Sequence, residues 1–391
     1  MFQPNSTLLS LFSTEILLPL LPRAALSLAT GLALARRGYR RGSLNESGAY
    51  AAAIVGFVTL FASAAMGLSL IAFYLSGSML TRYKETIKAR VDADAKPGGG
   101  QRNALQVLCT AGVAALAAIV FTASASPTIL SGSCGFMVGG EAPLLRRTAP
   151  IAFLAAIACA AGDTWASELG ILAKSPPVLI TTLQRVPKGT SGGVTLRGFL
   201  VSAAGGWLIG AVMALESVGL RWPAGAGAVP CAPRAASVPE WLVLPGLGLL
   251  AGLGGSVIDS LLGATVQRTW WDARTGKVTA ILPSGAIESG EAYSPSLLDS
   301  VGERDRLRDE IAQARREAAA PAAAVDAAAD GLRRRAAGVA TAATGNSHDD
   351  DGPRELVIVC GVPWLSNEGV NLATTAVTAV LAAVVYEARF I

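Results

Sequence analysis

Long apolar stretches constrain the fold of this chain more than any other feature of its sequence. A helix needs roughly 20 apolar residues to cross the hydrocarbon core of a bilayer, and runs of that length indicate membrane spans rather than the core of a soluble domain. The five clearest runs lie near residues 14–35, 104–124, 149–172, 194–215 and 241–267.

Composition agrees with a membrane protein and excludes several other classes. Hydrophobic residues make up 52% of the chain, charged residues make up only 15%, and the mean hydropathy is +0.47. The formal net charge of +4 is not gathered into a basic stripe with aromatic residues, so nucleic acid is not a predicted partner. The cysteines form no CxxC pair and His348 is the only histidine, which argues against a Cys/His metal site or a histidine-dependent hydrolase.

Two further segments bring the predicted number of spans to about eight, with six or seven as alternatives. The stretch from Gly48 to Leu80 is too long for one span and carries Gly67 near its middle, so we interpret it as a tight hairpin of two short helices. A last span is predicted from about Val370 to Tyr386. The predicted fold class is therefore all-α, a polytopic transmembrane helix bundle whose abundant Gly and Ala allow close helix packing.

Lys and Arg in the connecting segments predict an external N-terminus and, with eight spans, an external C-terminus. Basic residues gather near 36–41, 82–102 and 174–188, which this orientation places inside. Two segments predicted to be external contain Cys134 and Cys231, which either form a disulfide in an oxidising compartment or remain free thiols. The protein is expected to be an integral multi-pass membrane protein, with the particular membrane left open.

A long polar segment interrupts the apolar pattern before the last span. Residues 1–271 are predicted to form the bundle, residues 272–363 a polar insertion, and residues 364–391 the helix that completes the bundle. The centre of the insertion alternates acidic and basic residues and then becomes rich in alanine, which is typical of a solvated helix or a partly disordered spacer. No chemistry is assigned to this insertion.

Three acids lie within or at the edge of predicted spans, where an ionised carboxylate is costly. Asp163 and Glu168 project about 140° apart on a regular helix, so they cannot both bind one ion unless the helix breaks near Gly162. Mg²⁺ prefers one or two carboxylates together with waters and substrate phosphates, which suits Asp163 with Asp259 from another helix. The alternative is that Asp163 pairs with a buried arginine such as Arg102 and only joins two helices.

Polar residues from distant parts of the chain fall on the same predicted side as these acids, which predicts a shared internal cavity. A glycine-rich helix N-terminus beside a lysine suits a phosphate, because backbone N–H groups and a partial positive charge face the anion. An ordinary turn entering a helix is the alternative, and the amides near the last span have a purely structural alternative too. The residues predicted to bind substrate or phosphate are Arg82, Lys84, Arg102, Asn103, Lys188, Gly189, Thr190, Ser191, Gly192, Gly193, Asn367 and Asn371.

Several strings of residues occur in an order that resembles the transmembrane protein 19 family. They include Gly99 to Asn103, Gly162 to Glu168, Val186 to Thr190 and Asp259 to Thr265. The likeness covers most of residues 40–275 and resumes at Asn367, whereas the insertion between Lys277 and Pro363 departs from the family pattern. The family includes a chloroplast phytyl-phosphate kinase and looks distantly similar to the CTP-using dolichol kinases, so the resemblance implies phosphoryl transfer to an isoprenoid monophosphate.

The residue pattern and the resemblance together predict a kinase that uses CTP or ATP, with Mg²⁺, to phosphorylate a polyprenyl or phytyl monophosphate. Phosphoryl transfer depends mostly on positioning and charge stabilisation. Asp163 and Asp259 would hold Mg²⁺, and Glu168 would hold a second metal-bound water or orient the substrate. The alternatives are a small-molecule transporter, which should show an internal repeat and helices broken at the midplane, or a non-catalytic membrane protein.

Overall fold

Eight helices of 17 or more residues form a bundle in the part of the chain that the structure describes. The computed structural model describes residues 14–91, 93, 100–124, 143–215, 240–283, 286–317 and 355–390. The bundle helices are α1 (Thr14–Arg40), α2 (Glu46–Ala62), α3 (Ala64–Arg82), α5 (Ala104–Ala123), α6 (Leu144–Gly170), α7 (Leu196–Ala214), α8 (Glu240–Val266) and α10 (Asn367–Phe390). Between α3 and α5 lies the single turn α4 (Glu85–Lys88), and α9 (Pro295–Glu317) belongs to the polar segment.

The helical composition confirms the predicted polytopic transmembrane bundle. Six helices described by the structure, α3, α5, α6, α7, α8 and α10, are long and apolar enough to cross a membrane. The apolar helix α2 has only 17 residues and is shorter than these six. Cys134 and Cys231, with the alternatives predicted for them, lie outside the described residues.

Helix α6 is the centre of the bundle. In its most apolar stretch of 18 residues 72% of the residues are buried, and the helix packs against α3, α5, α7, α8 and α10. Small alanine side chains fill most of this core, together with the fully buried Phe153, Leu154 and Ile157. Because α6 is surrounded by other helices, its polar C-terminal residues face neighbouring helices rather than lipid.

Glycines bring α6, α7 and α8 unusually close together. A methyl group added at Gly162 of α6 would lie 2.8 Å from the Cα atom of Gly252 in α8, and one at Gly206 of α7 would meet that same atom at 2.8 Å. The hydroxyl of Ser202 in α7 also donates a hydrogen bond of 2.9 Å to the Gly252 carbonyl. Small residues at a helix crossing allow this backbone approach, as the composition predicted.

The predicted pair of short helices between Gly48 and Leu80 exists, but the chain breaks at Ser63 and not near Gly67. Ser63 is extended, with φ −158° and ψ 146°, and its side chain accepts a hydrogen bond of 3.1 Å from the Ala65 amide. A serine at this position satisfies a helix N-terminus that would otherwise lack a partner. Gly67 instead lies in the first turns of α3, against Leu60 of α2.

A small four-stranded sheet follows α8, and the sequence reading did not predict it. Its strands are β3 (Thr269–Asp272), β4 (Lys277–Thr279), β5 (Ile287–Ala292) and β6 (Glu355–Cys360), in the order β4-β3-β6-β5. Strand β6 is antiparallel to β3 and parallel to β5. A separate two-stranded ladder joins β1 (Val178–Leu179) to β2 (Gly193–Val194).

Two arginines bind backbone carbonyl groups at the C-terminal ends of α2 and α5. Arg23 of α1 donates a hydrogen bond of 2.5 Å to the Ala62 carbonyl, and Arg146 donates one of 2.7 Å to the Phe121 carbonyl. Both acceptors are at helix C-termini, where a cation is favourable. The position of Arg23 inside the first predicted span therefore has a structural explanation.

Candidate functional site

A cavity of about 1060 Å³ lies where α2, α5, α7 and α10 begin and α3, α6 and α8 end. One part, here called the apolar arm, is lined by Leu34, Val55, Leu60, Leu70, Ile71 and Phe73 from α1, α2 and α3. The other part, the polar basin, contains the side chains of Asp163, Glu168, Asp259, Lys88, Arg102 and Lys188. The cavity is therefore continuous between the charged polar basin and the hydrophobic apolar arm.

Asp163 and Asp259 meet in the polar basin. Their carboxyl groups are hydrogen-bonding neighbours, although one belongs to α6 and the other to α8. The hydroxyl of Thr374 in α10, which is itself buried, donates to Oδ1 of Asp259 at 3.2 Å. Two carboxylates this close repel each other, so the arrangement calls for a shared proton or a bound cation.

The alternative that Asp163 pairs with Arg102 is not what the structure contains. Glu168, and not Asp163, is the carboxylate that acts on the Arg102 guanidinium. Burial lowers the pKa of Arg102, and Glu168 and Tyr74 act in the opposite direction. No described residue accepts a hydrogen bond from this guanidinium, which lines the cavity.

Glu168 has partners different from those of Asp163, as expected from their positions on one helix. It forms an ion pair with Lys88 of α4, and the Thr81 hydroxyl donates to Oε1 of Glu168 at 2.8 Å. Lys88 also donates to the carbonyl oxygens of Leu80 at 2.6 Å and Thr81 at 3.3 Å, which end α3. The carboxylate of Glu168 is thus neutralised by the chain itself and holds α4 against the basin.

The glycine segment Gly189–Gly193 lines the basin but does not form a helix N-terminus. Helix α7 begins at Leu196 and is capped by Thr195, whose hydroxyl accepts from the Gly198 amide at 3.0 Å. The segment is a turn, with φ +87° at Gly189 and +75° at Gly192, that leads into β2. Glycine suits both positions because these dihedral angles are strained for other residues.

Several polar groups of this turn already bond within the chain. The Thr190 hydroxyl donates to the Pro187 carbonyl at 2.7 Å, and the Gly193 amide donates to the Thr190 carbonyl at 3.0 Å. The Ser191 amide donates to the Thr269 hydroxyl at 3.3 Å, and the Ser191 hydroxyl donates to Oε1 of Gln267 at 2.9 Å. Lys188 lines the cavity while its Nζ donates to the Ala173 carbonyl at 2.5 Å.

The start of α10 contributes amides and one acid to the same wall. Asn367, Glu368 and Asn371 all line the cavity. The side chain of Gln106 in α5 donates to Oε1 of Glu368 at 3.4 Å. This helix therefore supplies polar groups to the cavity wall, in addition to the contact of Thr374 with Asp259.

Three residues assigned to substrate by sequence lie elsewhere. Arg82 donates to the Arg41 carbonyl at 2.9 Å, and the Lys84 ammonium lies 5.4 Å from the ring centre of Tyr83. Asn103 caps α5 by accepting from the Gln106 amide at 2.9 Å. None of the three is among the residues that line the cavity.

The sequence did not identify Lys88, Gln106 or the four-stranded sheet as part of the cavity wall. Residues Thr269, Trp270 and Thr279 line the cavity from above the helix ends. Lys88 was counted only as one basic residue of a connecting segment, because a single four-residue helix has no periodicity to reveal its inward face. Among the described residues, no group of three or more His, Cys, Asp or Glu side chains could hold a metal ion.

A bundle of apolar helices with a polar cavity at one end defines a multi-pass integral membrane protein. The chain belongs to the integral membrane protein DUF92 family, whose model matches residues 29–379. It is similar to Protein PGR of Arabidopsis thaliana, with 39% identity over 234 residues that cover 60% of this chain and 75% of that protein.

Two uncharacterized membrane proteins are also similar. One from Methanocaldococcus jannaschii is 35% identical over 118 residues, covering 30% of this chain and 40% of that protein. One from Synechocystis is 27% identical over 203 residues, covering 52% of this chain and 64% of that protein. No solved structure matches the chain.

Proposed function

We propose that this protein is a Mg²⁺-dependent kinase that transfers a phosphoryl group from CTP or ATP to an isoprenoid monophosphate. The observation that carries the proposal is the contact between Asp163 and Asp259 inside a cavity that also contains Arg102 and Lys188. Phosphoryl transfer needs cations and fixed positions around the phosphates, and few other groups. The resemblance to the transmembrane protein 19 family supports the same substrate class.

The aspartate pair fits Mg²⁺ better than it fits a softer metal. Mg²⁺ uses carboxylate oxygens and keeps several waters or phosphate oxygens as its other ligands, so two carboxylates suffice. The mutual repulsion of the carboxylates would be relieved by the ion. Bound there, Mg²⁺ would supply positive charge that neutralises the phosphates during transfer.

Basic residues of the basin would bind the remaining phosphate charge. The Arg102 guanidinium faces the cavity without a hydrogen bond to the described residues and can form two parallel bonds to phosphate oxygens. Lys188 lies on the same surface and would act as a point charge. Glu168 would position Lys88 through their ion pair instead of binding a metal-bound water.

The apolar arm would hold the hydrocarbon tail of the acceptor. Its side chains come from α1, α2 and α3, beside the basin and within the level of the bundle. A tail buried there leaves its phosphate in the basin, while the sheet above the helix ends restricts water. This division favours an amphiphilic substrate over a soluble one.

The test is an assay of the purified protein with CTP or ATP, Mg²⁺ and a panel of prenyl and phytyl monophosphates. Formation of the diphosphate, abolished by chelation of Mg²⁺ and strongly reduced by Asp259→Asn, is the expected result. A well-folded wild-type protein that forms no diphosphate with any donor and acceptor would overturn the proposal. A soluble monophosphate serves as the control substrate and should remain unreacted.

The same aspartate pair is compatible with a small-molecule transporter, since paired acids within spans are typical of ion-coupled transport. Flux of a solute into proteoliposomes, together with no diphosphate product, would favour that function. If Asp163→Asn changes neither product formation nor ligand binding nor flux, a non-catalytic role is the better description.

A further inference from the structure

Four apolar side chains stand exposed at the end of the sheet that faces the bundle. Ile281 is 70% exposed and Trp364 is 78% exposed, and their neighbours Leu282 and Leu365 are 39% and 38% exposed. We call these four residues the lip. Ile281, Trp364 and Leu365 also line the mouth of the cavity.

The lip has two halves, Ile281 with Leu282 and Trp364 with Leu365, and the strand pairing places both at one end of the sheet. Strand β3 begins three residues after the end of α8, so Thr269 marks the end nearest the bundle. Trp270 is opposite Thr279 of β4, and Thr269 is opposite Cys360 of β6. Ile281 and Trp364 follow these two strand ends and therefore project beyond the sheet towards the helices.

Both halves of the lip are fixed by hydrogen bonds. The backbone amides of Trp364 and Leu365 donate to the Val266 carbonyl, the last residue of α8, at 3.2 and 3.0 Å. The Ile281 amide donates to the buried Thr279 hydroxyl at 3.1 Å, and that hydroxyl donates to the Ile281 carbonyl at 2.7 Å. The exposure of these side chains is therefore a feature of ordered backbone.

We infer that the lip contacts the bilayer and fixes the sheet, and with it the mouth of the cavity, at the level of the lipid headgroups. The inference does not depend on the proposed kinase activity, because any lipid-facing function would share this contact.

The position of the lip favours lipid over a protein partner. Trp364 lies three residues before α10 and is bonded to the end of α8, and both helices are apolar enough to span the membrane. Tryptophan is enriched at this boundary because its ring is apolar and its N–H is polar. Arg36, Arg37 and Arg40 end α1 on the same side of the bundle and suit anionic headgroups.

Tryptophan fluorescence of the full chain in liposomes of phosphatidylcholine and phosphatidylglycerol tests the inference. The emission of Trp364 is obtained as the difference between wild type and Trp364→Phe. It is measured with acyl chains brominated either near the headgroup or near their middle. The matched control is Trp207→Phe, since Trp207 is 50% exposed and lies near the middle of the spanning helix α7.

The Trp364 difference signal should lose most of its intensity with bromine near the headgroup and less with bromine at mid-chain. The Trp207 signal should show the reverse order. Trp364 emission that is unaffected by both lipids but quenched by aqueous iodide would overturn the inference. If Trp364→Phe does not fold, the emission added by Ile281→Trp provides the same comparison, and again the absence of lipid quenching contradicts the contact.

Discussion

Two ionised carboxylates in contact would be unfavourable for stability, so the pairing of Asp163 with Asp259 requires a shared proton or a cation. Like charges in a poorly solvated site repel, and a hydrogen-bonded neutral side chain at either position would remove that repulsion. Thr374 compensates only in part, through one hydrogen bond of 3.2 Å to Asp259.

Asp259→Asn is expected to lower diphosphate formation by about 100-fold or more, the scale for removing one group that stabilises developing charge. Its thermal unfolding midpoint in detergent should stay the same or rise, because one of two repelling charges is gone. The exposed Glu46, which does not line the cavity, offers Glu46→Gln as a control with normal activity. Loss of activity in parallel with loss of stability would contradict the assignment.

The ion pair of Lys88 and Glu168 should behave as a coupled, largely buried pair. Lys88→Met leaves the Glu168 carboxylate without its cation and is expected to destabilise the protein by about 3 kcal/mol. Adding Glu168→Gln should restore part of that loss, with a coupling of roughly 0.5–3 kcal/mol in a double-mutant cycle of unfolding midpoints. Additive effects would show that the two side chains do not interact.

At the scale of single residues, the sequence revealed buried acids better than their partners. Asp163 and Asp259 stood out because carboxylates are rare in spans, and both line the cavity. Lys88 did not stand out, because the four-residue helix α4 is too short for a periodicity that would reveal which side chain faces inward. Asn103 was assigned to substrate, but asparagine before a helix is equally a cap, and the structure uses it as one.

At the scale of helices, glycines set how closely α8, which carries Asp259, packs against α6 and α7. Gly252→Ala would bring its methyl group to 2.7 Å from the Cα atom of Gly206 and 2.9 Å from the Ser202 carbonyl oxygen, both in α7, so it would push α8 away from α7. We expect a destabilisation of about 1–3 kcal/mol, as for overpacked cores, and weaker Mg²⁺ dependence because α8 shifts.

Gly254→Ala is the matched control for this prediction, since nothing lies within 4 Å of the added methyl group and the helix is the same. It should be neutral or stabilising by up to roughly 1 kcal/mol, the difference in helix propensity between alanine and glycine. Equal effects of the two substitutions on the unfolding midpoint would argue against the close helix crossing.

Tyr293, which follows β5, forms a hydrogen bond with the segment before the glycine turn. Because of this residue, the stability of the protein should fall at alkaline pH. Its hydroxyl donates to the Arg185 carbonyl at 2.8 Å, and burial, followed by the charge of Asp299, raises its pKa from 10.0 to about 12. A raised pKa in the folded state gives stability that is complete below pH 10 and is lost as pH rises towards 12.

The unfolding midpoint of wild type should therefore fall across this pH range by more than that of Tyr293→Phe. Tyr293→Phe should be less stable than wild type at neutral pH, because the hydrogen bond to Arg185 is lost. Parallel pH curves for the two proteins would show that Tyr293 ionisation does not contribute.

Helices were predictable and strands were not, for a physical reason. The span near 241–267 was expected and α8 covers Glu240–Val266, because each long apolar run carries its own signal. The strands have two to six residues, and β6 pairs with β3 and β5 across a long intervening stretch of chain. Such pairing depends on distant partners, so the segment was interpreted as helical or disordered.

At the scale of the whole molecule, the excess of Lys and Arg predicts which side of the membrane the cavity faces. In a variant without native cysteines, Glu46→Cys lies at the cavity end and Leu145→Cys lies at the opposite end of the bundle. An impermeant thiol reagent applied outside intact cells should label the second residue only, and permeabilised cells should show labelling of both. The reverse pattern would invert the predicted orientation while leaving the fold unchanged.

The cavity end gathers residues whose separation along the chain is large. Asp163, Asp259 and Asn371 were predicted to share one side, and all three line the cavity. Alternating helix directions explain this success, because every second helix end falls at the same membrane surface. The apolar arm was less predictable, since lipid-facing and cavity-facing leucines have the same composition.

The hydrogen bonds that connect the segment before α10 to the end of α8 have a consequence for the order in which the protein is assembled during synthesis. Backbone bonds from Trp364 and Leu365 to Val266 close the wall only after residues 267–366 have left the ribosome. Thr374 follows later still, so the Asp259 carboxylate lacks the hydroxyl that donates to it until α10 has been synthesised. A chain truncated before α10 would therefore lack both the backbone bonds to Val266 and the hydrogen bond to Asp259, and should be less stable in the membrane than the full chain.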